Sequence, residues 1–228
     1  MNHQASRLAL TALFAVAGCQ TQPATTGAPA APKPAETRPR NERLTTAPAS
    51  ADFDYYLLNL SWSPEFCYSH PQAAECAAHP AFVLHGLWPQ NTNGSYPHNC
   101  SDAPGPADPA AYKDIYPDSE LLEHEWRTHG TCSGLGANEF FANARAAYRS
   151  VAIPSELTRL THQVSMPPEQ IIELFTEANP AIPRESLALS CGNNYLTAIE
   201  VCLDKGLYPI ACSSVRSCRA NTVRIPPP

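Results

Sequence analysis

Nine cysteines in 228 residues constrain this chain more than any other feature. Eight of them are Cys67, Cys76, Cys100, Cys132, Cys191, Cys202, Cys212 and Cys218, and none forms a Cys-x-x-Cys pair. A zinc ribbon or a thioredoxin-type redox motif is therefore not expected. An even set without metal-ligand spacing reads as a disulfide framework, which persists only outside the reducing cytoplasm. Eight cysteines allow on the order of a hundred pairings, so spacing alone does not choose among them. The ninth, Cys19, stands apart near the N-terminus.

Its surroundings supply the route out of the cell. Residues 1–19 carry Arg7, then an apolar run from Leu8 to Gly18 that is too short to span a bilayer comfortably. The run ends Val16-Ala17-Gly18-Cys19, which resembles the bacterial lipobox, whose Cys accepts a lipid and becomes the new N-terminus. Cleavage after Ala17 is the rival reading and leaves a soluble protein. Cysteine parity favours the lipid anchor at Cys19, because it leaves an even number for the exported domain. Gln20 in place of Asp then implies an outer-membrane lipoprotein, by likeness to lipoprotein sorting signals. Residues 20–50, rich in Ala, Pro and Thr with no apolar period, are expected to be a disordered tether, because they cannot bury enough surface to offset the entropy of ordering. Residues 51–228 are expected to form the single folded domain.

Charge excludes one class of function. Residues 52–228 hold ten Lys and Arg against nineteen Asp and Glu, about −9 with His neutral. Such a body repels polyanions, so tight non-specific nucleic-acid binding is not expected. A nucleic-acid substrate would need a local cationic pocket, which protonated histidines can provide.

Along the domain, Asp52–Trp62 is apolar and aromatic enough for a buried strand closed by Ser63-Pro64. Ala81–Leu87 reads as a second strand stopped by Trp88-Pro89, and residues 89–111 as a long surface loop. Asp118 offers an N-cap for a helix over Glu120–His129, ended by Gly130. Asn138–Val151 and Pro168–Ala178 have helical periodicity, and Leu187–Cys212 contains short runs suited to antiparallel strands. Strands and helices segregate, which predicts an α+β fold with a central antiparallel sheet packed by several helices.

Two segments carry chemistry: His85-Gly86-Leu87-Trp88-Pro89, and His124-Glu125-Trp126-Arg127-Thr128-His129-Gly130-Thr131-Cys132. His124 and His129 are five apart, about 140° around a helix at roughly 100° per residue, so a regular helix would not bring them to one metal ion. Glu125 and His129 do share a face, and a carboxylate beside an imidazole raises its pKa and holds its orientation. No metal or cofactor is expected. His70, His79, His98 and His162 lie outside both segments and are expected to take no part.

Together the two segments resemble the active-site segments of the ribonuclease T2 family, acid endoribonucleases. Supporting likeness runs from about Phe53 to Cys218 and includes Leu60-Ser61-Trp62-Ser63-Pro64, Phe66-Cys67 and Ala178-Asn179-Pro180. The resemblance implies a ribonuclease T2-like fold, a single-stranded RNA substrate and cleavage to 2′,3′-cyclic phosphates, then 3′-phosphates. It implies His129 as general base and His85 as general acid. It also implies that Glu125 and His124 hold and polarise the phosphate, and that Trp88 stacks on a base. The disulfides it implies are Cys67–Cys76, Cys100–Cys132, Cys191–Cys218 and Cys202–Cys212. One position departs: Thr128 stands where the family pattern usually has Lys, leaving a neutral hydroxyl where a positive charge would face the transition state. Two other readings stay open: a binding lipoprotein of the same fold with weak or no catalysis, and a metal-dependent hydrolase. A monomer is expected.

Overall fold

The computed structural model describes residues 52–78 and 80–228. Cys19, the signal and the tether expected over residues 1–50, and His79 lie outside the described residues. In chain order the elements are β1 (Tyr55–Trp62), α1 (Ser63–Ser69), β2 (Phe82–Gln90), α2 (Ser119–Thr128), α3 (Ala137–Arg149) and α4 (Ser155–Thr158). β3 (Val164–Met166), α5 (Pro168–Ala178), β4 (Leu187–Gly192), β5 (Tyr195–Leu203) and β6 (Val223–Ile225) complete them.

The sheet runs β2-β1-β5-β6-β3, with β4 paired to β5. Its pairings are antiparallel except for one parallel contact, Tyr195 with Arg224, between β5 and β6. This is the expected α+β arrangement. One face carries Leu58, Leu60, Trp62, Leu84, Leu87 and Ile199, packed with Phe140 and Phe141 of α3 and Phe175 of α5 into the main core. On the other face a smaller cluster joins Tyr55, Leu57 and Cys202 to Trp88 and Ile210. The four disulfides are Cys67–Cys76, Cys100–Cys132, Cys191–Cys218 and Cys202–Cys212, the pairing that the resemblance implied.

One expected boundary needs correction. β2 does not stop at Leu87 but continues through Trp88 and Pro89 to Gln90. β2 is an edge strand, where a proline's missing N–H costs no ladder bond. Ser63-Pro64 closes β1 by opening α1, with proline in the first helical turn, where its lost donor is not needed.

A candidate active site between a bulged strand and a helix end

The first segment owes its geometry to a defect in strand pairing. On β1, Asn59 pairs with Gly86 and its neighbour Leu60 pairs with Leu84, which leaves His85 as the extra residue of a β-bulge. In a regular strand His85 and Trp88, three apart, would point to opposite faces. The bulge resets the alternation, so Leu84 and Leu87 both enter the core while His85 and Trp88 share the other side. Ser61 of β1, which the sequence did not single out, meets His85 Nδ1 with its Oγ at 3.0 Å. The second imidazole nitrogen, Nε2, lies 3.9 Å from Glu125 Oε1.

The second segment is positioned by a helix and its termination. Asp118 caps α2, its carboxylate accepting from the Glu120 N–H at 2.8 Å. The helix ends at Thr128, and His129 is its C-cap, with φ −116° and ψ −47°. The turn Gly130–Cys132 then packs against β2, and the Cys100–Cys132 bridge ties it to the loop after β2. Gly130 is required there, since a Cβ would collide with the Trp126 ring.

Glu125 lies at the junction, fully buried. Trp88 Nε1 donates to its Oε2 at 2.8 Å. The same indole stacks on His129, with centroids 5.2 Å apart and 29° between planes, and meets His85 edge-on at 5.2 Å. Gly86 makes this contact possible, because a Cβ there would occupy the space of Glu125 Oε2 and Trp88 Nε1. His124 and Thr128 stand at the open side, with Thr128 Oγ1 3.5 Å from His124 Nδ1 and the His124 ring 6.3 Å from that of His129.

Burial dominates the electrostatics. It raises the Glu125 carboxyl to about 8, against the opposing effect of the Trp88 donor. It lowers His129 to about 4, helped by the charges of His124, His85 and His98. His85 is lowered too, by burial and then by His124. Glu125 Oε1 and His129 Nδ1 are buried without a hydrogen-bond partner. Burial thus favours the neutral form of His85, Glu125 and His129 alike.

His85, Trp88, Glu125 and His129 come together, with His124 and Thr128 at the rim, and two expectations change. Glu125 does not raise the His129 pKa: its carboxyl is turned to Trp88 and His85, and burial governs His129. The regular-helix argument that kept His124 and His129 apart also fails, because His129 is a cap outside the regular helix. Ligand atoms of His124, Glu125 and His129 all lie within 4.8 Å of one another. His98, outside both segments, is near enough for its charge to act on His129. A sequence signal for this existed: His98 lies two residues before Cys100, whose partner follows His129 by three.

The profile of the ribonuclease T2 family matches residues 53–212. A ribonuclease of Aeromonas hydrophila is 45% identical over 93 residues, 40% of this chain and 43% of that protein. A Haemophilus influenzae protein named a probable ribonuclease is 29% identical over 187 residues, covering 73% of this chain and 63% of its own length. The chain therefore spans roughly half the length of these relatives. Among solved structures, an RNase-related protein from Calystegia sepium superposes with a TM-score of 0.62 at 23% identity, covering 77% of this chain and 98% of that one. At that identity the likeness speaks for the fold.

Proposed function

This chain belongs to the ribonuclease T2 family, and from that premise we propose that it is an endoribonuclease acting on single-stranded RNA without a metal ion. The observation that carries the reading is the placement of His85 and His129 against one Trp88 indole, each ring centroid 5.2 Å from it, with the buried Glu125 carboxyl accepting that indole's N–H. RNA brings its own nucleophile, so the protein needs one base and one acid. His129, whose lowered pKa keeps it neutral, takes the 2′-hydroxyl proton. The 2′-oxygen bonds to phosphorus, the bond to the 5′-oxygen breaks, and His85 gives that oxygen a proton. Burial holds the His85 pKa down in the free protein, and the arriving phosphodiester anion raises it, so substrate itself arms the acid. Water then opens the 2′,3′-cyclic phosphate to a 3′-phosphate with the two imidazoles in exchanged roles.

Glu125, protonated at neutral pH, is a donor to a phosphate oxygen rather than a repelling charge. His124 adds a second contact at the rim. Trp88 has its Nε1 committed to Glu125 and a face to His129, so we assign it first to holding those two groups; a nucleobase stacks on its remaining surface. The acidic body makes this local set of imidazoles the means of attracting RNA, which favours an optimum on the acidic side of neutrality.

The expected test product is RNA with 2′,3′-cyclic phosphate ends, formed by the purified protein in the presence of chelator. RNA that is bound but never cut would leave the binding lipoprotein of the same fold. A metal-dependent hydrolase has the His124, Glu125 and His129 cluster in its favour, and cleavage that appears only on adding a divalent ion would establish it. A carboxyl that holds its proton is a poor ligand, which is why the first reading is preferred.

We assign residues 1–19 to export, 20–50 to a tether and 51–228 to a monomeric catalytic domain, with Cys19 as a lipid anchor in the outer membrane facing the periplasm. Among the described residues no helix is long and apolar enough to cross a membrane. Cys19→Ser should move the protein from the membrane fraction to the soluble one. A soluble wild type whose mature N-terminus is Gly18 would overturn the anchor.

A further inference from the structure

The site as proposed lacks a cation. Thr128 offers a neutral hydroxyl, and among the described residues the charges acting on His129 are those of three imidazoles, with no Lys or Arg between them. Arg127 is exposed on the neighbouring helix position. Two of the three imidazoles, His85 and His124, already belong to the reading above. The third comes from the loop after β2.

That loop is fastened to the end of α2 at three points in succession. The Asn99 N–H donates to the Thr128 carbonyl at 2.9 Å. The Cys100 N–H donates to Thr131 Oγ1 at 3.2 Å, and Cys100 is bridged to Cys132. Asn99 has φ +52°, a left-handed conformation that asparagine tolerates better than most residues, so the chain turns sharply just after His98. The Asn99 amide also fixes the ring: Nδ2 stands 3.0 Å from His98 Nδ1, and an amide nitrogen only donates. His98 Nδ1 therefore accepts, and Nε2 carries the hydrogen. The result is an exposed imidazole, one residue from a backbone bond to Thr128, with its donor on the free nitrogen.

We propose that His98 is a phosphate-contacting residue of this site, donating from Nε2 to a non-bridging oxygen of the scissile phosphodiester and supplying a hydrogen-bond donor beyond the hydroxyl that Thr128 offers. The ligand chemistry is that of an RNA phosphodiester, and the inference rests on the endoribonuclease reading. Two further features agree with it. Its position is one from which a charge disfavours a proton on His129, which places the ring beside the proposed base. The fastenings run through the backbone and the disulfide and not through the imidazole, so the position is held whatever side chain occupies it.

The test uses the full protein, a short RNA substrate, and kcat and KM measured separately. His98→Ala should lower kcat about tenfold, below the loss for a fully buried donor because the site is open to water, with a smaller change in KM. His98→Lys should retain most of the wild-type kcat. Thr128→Lys should raise kcat more in the His98→Ala protein than in wild type, because the two positions supply one contact. Melting temperature should stay near that of wild type in each. An unchanged kcat in His98→Ala overturns the proposal, and so does a loss that neither lysine restores, since that marks a loop-packing role. A wild type that cuts no RNA refutes the endoribonuclease reading and this inference with it; a wild type that cuts RNA beside a silent His98→Ala refutes this inference alone.

Discussion

His85 and His129 reach the same indole from two kinds of backbone, and they differ in how they are held. His85 sits on an edge strand, aimed by a bulge, with 44% of its side-chain surface exposed and Nδ1 engaged by Ser61. His129 sits on a helix cap, 8% exposed, with Nδ1 buried and unpartnered. The strand residue is held by its hydrogen bond to Ser61 and remains open to solvent. The helix residue is fixed by its place in the packing, between the Trp88 stack, the Gly130 turn and the Cys100–Cys132 bridge. The proposed division of roles suits this difference: a base benefits from a low pKa, which burial provides, and an acid from access to substrate, which the exposed strand position provides.

The division of roles can be broken most directly at the two histidines. His85→Ala and His129→Ala should each cost at least about 100-fold in kcat/KM. They should also act on opposite limbs of the bell-shaped pH–rate profile, His129→Ala flattening the acidic limb and His85→Ala the alkaline one. If both variants lose the same limb, the assignment of base and acid is wrong.

A smaller effect tests whether the junction between the segments matters. Gly86→Ala places a methyl against Glu125 Oε2 and Trp88 Nε1. We expect kcat to fall on the order of tenfold and stability by about 1–3 kcal/mol, the range for a forced shift in a packed site. Kinetics and denaturant unfolding that both match wild type would show that Glu125 and Trp88 move aside freely.

The gentlest test is the pH dependence of folding. Burial raises the Glu125 carboxyl to about 8 in the folded chain from an ordinary value of 4.5, so the stability contributed by its neutral form is lost progressively as pH rises from 4.5 to 8. His129, lowered from 6.5 to about 4, acts in the opposite sense and only below 6.5. Between pH 6.5 and 8 the Glu125 contribution therefore stands clear of it, with a slope of up to about 1.4 kcal/mol per pH unit. Glu200, also raised by burial, is present in both proteins and cancels in the comparison. Glu125→Gln should flatten the decline in melting temperature over that window. An equal decline in wild type and variant would mean that Glu125 is already ionised in the folded state.

Much of this was legible in the residues. Pro168–Ala178 forms α5 over that same span, and Asp118 caps α2 as its position suggested, because proline, capping side chains and apolar periodicity act over a few residues. The two histidine segments were legible as residue types in order. The bulge at His85 was not, since it depends on the register of β1 against β2 and leaves no mark in local composition. Ser61 was hidden for the same reason, since it meets His85 across strand pairing, whereas His98 was signalled only by its closeness to Cys100 and the Cys100–Cys132 bridge.

What the sequence determined by itself is therefore the set of local elements and the inventory of reacting groups, which short-range sterics and side-chain chemistry specify. Their states were decided by the tertiary structure. Glu125 beside His129 on one helix face reads as a carboxylate that raises an imidazole pKa. In the fold the carboxyl turns to Trp88, both groups lose water, and each is driven to its neutral form. Desolvation is a property of everything packed around a group, so no pair of residues read along the chain could have disclosed it.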